Sequence, residues 1–449
     1  MKNTLLLIMF FTVGLFANCQ SISKAEFKKE LQTTISFLSH VHANPFGYQT
    51  EEGLSAIKDS ILHEYQSQDS ISLLKAYQCY SNMVSSIKCA HSGAYKSKAL
   101  DATIHQFPMD LKIIDDKGFV NQDYSTFQAY VGDQIVSING IAWTTILTQG
   151  KRLHSSDGNS PLTRSLFEKR VRLDIPVILG NPSSFDIKIL RVEDTINLSL
   201  SADNQEIKQD KSPKFHLCIT GPNKDIGVIK ISNFPSDKAS IAKFEKFCIK
   251  TRNKLDRKKI NDVIIDIRNN GGGDRIDLLL RNFTPKSFKL MSSSTIDTTN
   301  LSKYQGRIQF NGVSYEEVMK IPSNTQQSRQ VEFQGDLFLN VNLFVLVNGR
   351  TASAASHFAS LVKEHELGEI AGKETGGRAS GCNGNIYGSY FLPHSNIEIY
   401  LPLMKNTYAV DQELNPDHGV IPDILISEEL LGKMELTHLI EVITSRNKR

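Results

Sequence analysis

The chain has 449 residues, of which 40% are hydrophobic and 22% charged, so it holds enough apolar material for several packed cores. This composition excludes wholesale disorder, a collagen-like chain and a small disulfide-stabilised fold. The 51 Lys and Arg residues nearly balance the 48 Asp and Glu residues, and a net charge of +3 gives little support for nucleic acid or an anionic membrane as the main partner. At roughly 150 residues per domain, the length predicts about three domains.

The first segment has the pattern of an export signal. Lys2 precedes an apolar stretch over residues 5–16, and polar sequence begins at Asn18. About a dozen apolar residues are too few to span a bilayer, which needs roughly 20, but they suit a secretory signal peptide. We predict a signal peptide over residues 1–19 and a mature protein that is exported, to the periplasm or beyond. Cleavage after Cys19 and lipidation of Cys19 are alternatives, and lipidation is the membrane attachment that the sequence suggests.

Three regions follow this segment. Residues 20–100 carry apolar side chains at three- and four-residue spacing, which predicts a helical domain broken near Pro45. Residues 104–203 consist of strand-like runs separated by turn residues, which predicts a small β domain. Residues 213–440 alternate strands with helices, so the expected fold class is a multi-domain α/β protein. In this last region we predict strands over 227–231, 263–267 and 343–347, and helices over 237–256, 274–282 and 352–366.

The cysteine pattern leaves two interpretations open, a disulfide or buried free thiols. After Cys19, five cysteines are scattered along the chain, and an oxidising compartment could join Cys79 to Cys89. The alternative is that all five are small buried side chains. No CxxC pair and no His/Cys cluster with zinc spacing occurs, so neither a metal nor an organic cofactor is expected.

A small-residue segment after the third predicted strand is the first candidate for chemistry. The apolar strand ends in a turn containing Gly349, and a helix rich in Ala follows, with Thr351 as a candidate N-cap. Ser353 is expected in the first turn of that helix, where free N–H groups and the helix dipole favour a developing negative charge. On its own, this segment favours Ser353 as an ordinary small residue of the first turn.

Two further segments are compatible with a peptide-processing site. The strand over 263–267 opens into a turn with three successive glycines from Gly271, and such glycines let backbone N–H groups point into a cleft, as an oxyanion hole requires. The turn lacks P-loop spacing, so phosphate binding is not indicated. The segment from Gly132 to Gly140 has a short strand between two turns, which fits a small β domain that accepts a peptide as an added strand.

Together these segments resemble the tail-specific (C-terminal-processing) serine protease family. The sequences DIRNNGGG from Asp266 and TASAAS from Thr351 are similar to its two signature blocks, and GDQIVSING from Gly132 is similar to its PDZ-like domain. The resemblance implies a PDZ-like domain over 104–203 and a ClpP/crotonase-like layered α/β catalytic domain over 213–440.

The resemblance also implies site residues. It makes Ser353 the nucleophile and the backbone N–H groups of Gly272 and Ala354 the oxyanion hole. Many members of the family place a lysine about 25 residues after the nucleophile as the base, but Arg378 stands at that position and arginine stays protonated. Lys373, five residues earlier, is a weak substitute.

The base is instead expected to be a histidine. The sequence resembles the branch of the tricorn protease core and the retinoid-binding-protein repeats, in which a histidine from the helical region serves as base. The element Cys-Ala-His-Ser-Gly around His91 is similar to that branch's motif. Histidine titrates near neutral pH, so His91 is the natural base for Ser353, and its Nε2 should lie close to the serine hydroxyl. Ser92 could assist His91.

The acid that orients this base is left open. The family's closing block resembles residues 411–423, but Pro416 stands where a glutamate is expected. Glu413 and Asp417 are therefore the alternatives. His357 and His418 are other histidines that could approach the cleft.

The expected function is that of an exported serine endopeptidase. It would hydrolyse peptide bonds of protein or peptide substrates through an acyl-enzyme on the serine, near substrate C-termini, without metal or organic cofactor and without a nucleic-acid partner. The alternative is a catalytically inactive relative that binds peptides or apolar ligands in the cell envelope.

Overall fold

Four clusters of buried apolar side chains organise the part of the chain that the computed structural model describes. The predicted multi-domain α/β fold class is confirmed. The predicted signal peptide, with Cys19, and the end of the predicted catalytic range lie outside the described residues. The described ranges are 21–125, 128–203, 213–221, 223–323, 327–331, 338–411 and 417–427.

The N-terminal region is helical, as predicted. Ser23 and Glu26 form a capping box at the start of the first long helix, and that helix ends at Val41, before Pro45. The two short strands β1 and β2 pair with each other in antiparallel fashion. The elements are β1 Ser21–Ser23, α1 Lys24–Val41, α2 Glu51–Glu64, β2 Ser70–Ser72, α3 Leu73–Ser85, β3 Gly93–Tyr95 and α4 Lys98–Asp101.

The middle region combines a β sheet with two helices that the sequence analysis did not predict. The strands pair in the order β4-β5-β6-β8-β9, with β7 on β6, and both helices contribute to the same apolar core. Its elements are β4 Met109–Ile114, β5 Lys117–Asp123, β6 Gln134–Ile138, β7 Ile141–Ala142, α5 Trp143–Arg152, α6 Leu162–Ile178, β8 Ser184–Arg191 and β9 Asp194–Ser201.

The last region holds two further sheets. The first has the order β10-β11-β12-β16-β17-β20, with β11 onward parallel, and it is covered on both faces. Its elements are β10 Phe215–Thr220, β11 Ile226–Ile231, α7 Lys238–Arg257, β12 Asp262–Asp266, α8 Asp277–Leu280, β16 Asn342–Val347, α10 Ala354–Glu364, β17 Glu369–Gly372 and β20 Ile424–Leu425.

The second sheet is antiparallel and was not predicted. Its order is β14-β18-β19-β13-β15, and β3 of the helical region pairs with β19. The N-terminal helices pack their apolar faces onto this sheet, so the helical region and the catalytic region share one core. The elements are β13 Phe288–Ile296, β14 Ile308–Phe310, α9 Tyr315–Met319, β15 Gln327–Val331, β18 Gly381–Phe391 and β19 Glu398–Tyr408.

One predicted helix is much shorter than expected. The sequence analysis placed a helix over 274–282, whereas α8 covers only Asp277–Leu280. Arg275 has a positive φ of 61°, which no residue within an α-helix can adopt, so the helix cannot begin before it.

Candidate active site

Ser353 lies directly before α10 and has an unusual backbone conformation. Its φ of 55° and ψ of −126° are strained for a residue with a side chain, and its hydroxyl makes no capping hydrogen bond to the helix. A strained turn between a strand and a helix is a recurring way to present a nucleophilic serine. Ser353 is only partly buried, so its hydroxyl can be reached by a substrate.

The predicted N-cap at Thr351 is wrong. The Thr351 hydroxyl donates to the carbonyl of Ile267 at 3.0 Å and accepts from the N–H of Asn348, which leaves it engaged away from the helix. The helix begins at Ala354, two residues later than predicted, because the positive φ of Ser353 cannot be continued as a helix.

His91 lies beside the serine. The distance from His91 Nε2 to Ser353 Oγ is 3.1 Å, although 262 residues separate the two in the chain. The pairing of Gly93 with Tyr400 joins β3 to β19 just after the histidine and so fixes the backbone on which it stands. The His91 ring also lies against Tyr387, with the ring centroids 6.1 Å apart.

The surroundings of His91 favour its neutral form. Burial lowers the pKa of His91 from its ordinary value, and the negative charge of Asp157 opposes this shift. The neighbouring His42 is also buried, which lowers its pKa to about 3. A neutral His91 can accept a proton, which is what a general base for Ser353 must do.

Gly272 lies against the nucleophile. A side chain there would place its Cβ 2.6 Å from Ser353 Cβ, and the φ of Gly272 is 119°, so only glycine fits this position. The Gly272 N–H, predicted to line an oxyanion hole, donates to Asn270 Oδ1 at 2.9 Å. Ala354 is the first residue of α10, so its N–H has no acceptor within the helix.

The turn that carries Arg378 packs against the same loop. The Gly377 N–H donates to the Thr351 carbonyl at 3.0 Å, and a Cβ on Gly377 would lie 2.7 Å from the Ser353 nitrogen. The Arg378 side chain makes no hydrogen bond with Ser353. Its Nε donates to the Gly381 carbonyl and its Nη1 to the Tyr48 hydroxyl at 3.1 Å. Arg378 therefore makes structural contacts with Gly381 and Tyr48, although it stands where many family members carry a lysine base.

A carboxylate that the sequence analysis did not single out lies near His91. Asp157 is only 4% exposed and belongs to the loop between α5 and α6. Its Oδ1 accepts the N–H of Ala90, the residue before His91, at 2.8 Å. Nothing in the local sequence Ser-Ser-Asp-Gly distinguishes this residue from an ordinary polar turn.

The two acids considered from the sequence have different positions. Glu413 lies outside the described residues. Asp417 is exposed, and its backbone carbonyl accepts the N–H of Asn159 at 2.9 Å. Its carboxylate makes no hydrogen bond with His91 in the described structure.

The other two candidate histidines are engaged elsewhere. The ring of His357 stacks on Tyr408 with the centroids 3.7 Å apart, and its Nε2 lies 2.8 Å from the Leu290 carbonyl. His418 Nδ1 lies 3.1 Å from Glu374 Oε1. Of the histidines considered from the sequence, His91 is therefore the one whose side chain lies within hydrogen-bond distance of the Ser353 hydroxyl.

A cleft of about 510 Å³ opens between the middle region and the carboxyl ends of the parallel strands. Three of its cations make ion pairs: Lys112 with Glu168, Arg164 with Asp116 and Arg268 with Asp266. Three other cations on its wall make no ion pair with any described residue: Lys230, Arg350 and Lys373. The cleft therefore offers three cations without an ion pair close to the nucleophile loop, together with the carboxylates of Asp115 and Glu374.

The described residues show no sign of a bound metal or a disulfide. They contain no group of three or more His, Cys, Asp or Glu side chains that could hold a metal ion. Cys79 and Cys89 are both buried and unbonded, as small apolar side chains would be, and the other described cysteines are also free. No helix in the described ranges has the length and apolarity needed to cross a membrane.

Comparisons with known proteins concern the fold and the family domain. The chain is similar to mature CPAF at 13% identity and a TM-score of 0.61, covering 90% of this chain and 92% of that one. It is similar to mature CPAF complexed with lactacystin at 14% identity and a TM-score of 0.65, covering 94% and 97%. These likenesses show the fold, and no curated protein matches the sequence. The sequence pattern of peptidase family S41 matches residues 225–426. The chain therefore contains a peptidase family S41 domain over these residues, and it is a serine-type peptidase.

Proposed function

We propose that this S41 peptidase is an endopeptidase in which Ser353 is the nucleophile and His91 the general base. The observation that carries the proposal is the 3.1 Å distance between His91 Nε2 and Ser353 Oγ. This distance is within the reach required for proton transfer, and the lowered pKa of His91 keeps the ring neutral near pH 7.

The reaction follows from these positions. Ser353 Oγ attacks the carbonyl carbon of the scissile peptide while His91 Nε2 takes the hydroxyl proton. The Ala354 N–H stabilises the resulting oxyanion, and the Gly272 N–H joins it once it leaves Asn270. His91 then gives its proton to the leaving amine, which produces an acyl-enzyme. Water, deprotonated by the same histidine, hydrolyses the ester and restores Ser353.

Labelling with a fluorophosphonate tests this assignment directly. The reagent should modify the wild-type protein, and Ser353→Ala should abolish the modification. His91→Ala should slow it by at least about a hundredfold, because the general base contributes roughly that much. His418→Ala is the matched control and should react like the wild type. A folded wild-type protein that is not labelled would instead favour the alternative of an inactive, peptide-binding or apolar-ligand-binding relative.

The proposed substrates are protein or peptide chains cleaved near their carboxyl ends. The middle region resembles a PDZ-like domain in sequence, and such sheets bind an extended peptide as an added strand. Lys230, Arg350 and Lys373, the cleft cations without an ion pair, support cleavage near the carboxyl end, because they would attract a terminal carboxylate. Arg350 lies three residues before Ser353, so a carboxylate held there would be within a few residues of the scissile bond.

We also propose that the peptidase acts outside the cytoplasm, in the periplasm or beyond. The support is the apolar segment over residues 5–16, which has the length of a signal-peptide core. Amino-terminal sequencing of the mature protein from its native host tests this. A new N-terminus near residue 20 would agree with export, whereas retention of Met1 would contradict it. Cys19→Ala separates the alternatives, because only a lipid-anchored protein would leave the membrane fraction.

A further inference from the structure

The second ring nitrogen of His91 has no partner. His91 Nε2 must be unprotonated to accept the proton of Ser353, so the neutral ring carries its hydrogen on Nδ1. His91 Nδ1 is buried and makes no hydrogen bond with any described residue. A buried donor left in this way is unfavourable, and such a site calls for an acceptor.

The buried carboxylate of Asp157 also has an oxygen without a hydrogen-bond partner. Asp157 Oδ1 is held by the N–H of Ala90 at 2.8 Å, which fixes the carboxylate next to the residue that precedes His91. The other oxygen, Asp157 Oδ2, is buried without a hydrogen bond. Two chain segments joined by the bond from Ala90 to Asp157 thus hold an unpartnered donor on His91 and an unpartnered anionic acceptor on Asp157.

We propose that Asp157 is the positioning residue of this active site, with its Oδ2 accepting the Nδ1–H hydrogen of His91 in the catalytic arrangement. The pairing fixes the tautomer and the orientation of the base and stabilises the imidazolium that forms when Ser353 attacks. Hydrogen bonds of this kind are often not closed without substrate and tighten when it binds. The inference rests on the proposed roles of Ser353 and His91.

Other acceptors near the histidine are neutral. Ser92 Oγ and Asn383 Oδ1 are also buried without a hydrogen bond. Neither carries the negative charge that stabilises an imidazolium. Asp157 is the charged group whose field raises the pKa of His91 against the effect of burial. A carboxylate is therefore the acceptor whose interaction with His91 strengthens most between the resting state and the transition state.

Arg378 supports the charge of this carboxylate. Burial opposes the charged form of Arg378, but Tyr48 and the Asp157 carboxylate raise its pKa. The residue that replaces the family's lysine base therefore acts, in our proposal, as the counter-charge of the acid that orients a histidine base.

The loop that carries Asp157 contacts both flanking regions. The Gly158 N–H donates to the Lys88 carbonyl of the helical region, and Ser160 Oγ donates to the Gly376 carbonyl of the catalytic region at 2.6 Å. The acid thus comes from the middle region, whereas the sequence analysis looked for it in the closing block over 411–423. Docking of the middle region then completes the active site.

Kinetics of Asp157→Asn test the proposal, since asparagine keeps an oxygen for the Ala90 N–H but removes the charge. We expect kcat to fall roughly 10²- to 10⁴-fold with an intact fold. Asp157→Glu should recover part of the activity. Asp59→Asn, at an exposed carboxylate of α2, is the matched control and should stay within about twofold of the wild type.

The pH profile separates positioning from mere structural support. The titratable groups around His91 are Asp157, His42, Cys89 and Tyr387. Burial raises the pKa of Cys89 to about 12 and also raises the pKa of Tyr387, so neither group titrates on the acidic limb, whereas burial lowers the pKa of His42 as it lowers that of His91. Removing the Asp157 charge should therefore move the acidic limb of kcat/KM to lower pH.

An NMR titration of His91 in the Ser353→Ala variant measures the effect of Asp157 on the His91 pKa without requiring catalysis. Adding Asp157→Asn should lower the His91 pKa by at least about half a unit. An unchanged His91 pKa would overturn the proposal, as would an Asp157→Asn enzyme within threefold of wild-type kcat, or a large loss in Asp417→Asn instead. The NMR titration does not need turnover, so a failure of the Asp157 proposal can be told apart from a failure of the Ser353 assignment in the fluorophosphonate labelling.

Discussion

The hydroxyl of Thr351 donates a 3.0 Å hydrogen bond to the backbone carbonyl of Ile267, 84 residues earlier in the chain. This bond joins the loop before the nucleophile to the end of β12, from which the glycine turn with Gly272 departs. Thr351 is fully buried, so no water can replace the partner. The bond therefore fixes the distance between the serine and the glycine turn that faces it.

We predict that Thr351→Val weakens both the fold and the activity. The substitution keeps the shape but removes one of the two donors to the Ile267 carbonyl and leaves the Asn348 N–H without its acceptor, which should lower the free energy of unfolding by about 1–3 kcal/mol. It should also lower kcat by about tenfold, because small misplacements of reacting groups are costly. Urea denaturation and peptide hydrolysis measure the two effects. Thr351→Ser keeps the hydroxyl and should be close to wild type in kcat.

Gly272→Ala should abolish peptidase activity. The added methyl group would meet Ser353 Cβ at 2.6 Å, and the φ of 119° is unfavourable for alanine. Gly306 is the matched control, because its φ is also positive, at 72°, but a Cβ there meets no neighbouring atom. Gly306→Ala should cost about 1 kcal/mol of stability and leave kcat unchanged. Equal activity in the two variants would contradict the close approach of Gly272 to the nucleophile.

The protein should lose stability in acid through His42. Burial lowers the folded-state pKa of His42 to about 3, well below the unfolded value of about 6.5. At pH 7 both states hold a neutral ring, so the histidine has no effect on stability. As the pH falls below about 6.5, the unfolded state binds a proton that the folded state excludes until about pH 3, and the free energy of unfolding drops.

His42→Asn tests this effect. Asparagine can still accept the Asn44 N–H that His42 Nδ1 accepts at 3.0 Å, but it cannot take up a proton. Urea denaturation between pH 7 and pH 4.5 should therefore show a smaller loss of stability in the variant than in the wild type. His63→Asn, at an exposed position, should keep the wild-type dependence. Identical curves for all three proteins would remove His42 from the explanation.

Neutralising the cleft should reduce the preference for free carboxyl termini. In the inactive Ser353→Ala form, a peptide with a terminal carboxylate should bind more tightly than its amidated version. The double substitution Arg350→Met and Lys373→Met should remove about tenfold of that difference, equivalent to about 1.4 kcal/mol. Fluorescence anisotropy measures both affinities. Lys254→Met, on the exposed face of α7, should change neither, and a full difference in the double variant would exclude the cleft as the carboxylate site.

The sequence predicted the strands and the candidate site best where the apolar pattern is continuous or a chemical motif is present. Buried strands such as Asn342–Val347 are continuous apolar runs, and the juxtaposition of His91 with Ser353 was expected from the resemblance of their motifs. Both helices of the middle region were missed. Helix α5 has no side-chain N-cap, and α6 contains Pro176, so the usual start and continuation signals are absent.

The rest depended on tertiary contacts that leave no local pattern. Asp157 lies in an ordinary polar turn, and only the packing of three regions places it beside His91. The engagement of the Gly272 N–H by Asn270 Oδ1 is likewise invisible in a glycine-rich motif. Backbone strain had the same effect at Ser353, where a positive φ delays the helix that apolar spacing had started earlier.

The pairing of β3 with β19 makes the order of synthesis matter. The histidine emerges from the ribosome long before the serine, and β19 follows later still, so a growing chain holds separated halves of its hydrolytic machinery. In the proposed mechanism, peptidase activity can arise only when β19 is in place. Formation of this strand pair therefore sets the earliest point at which the site can assemble.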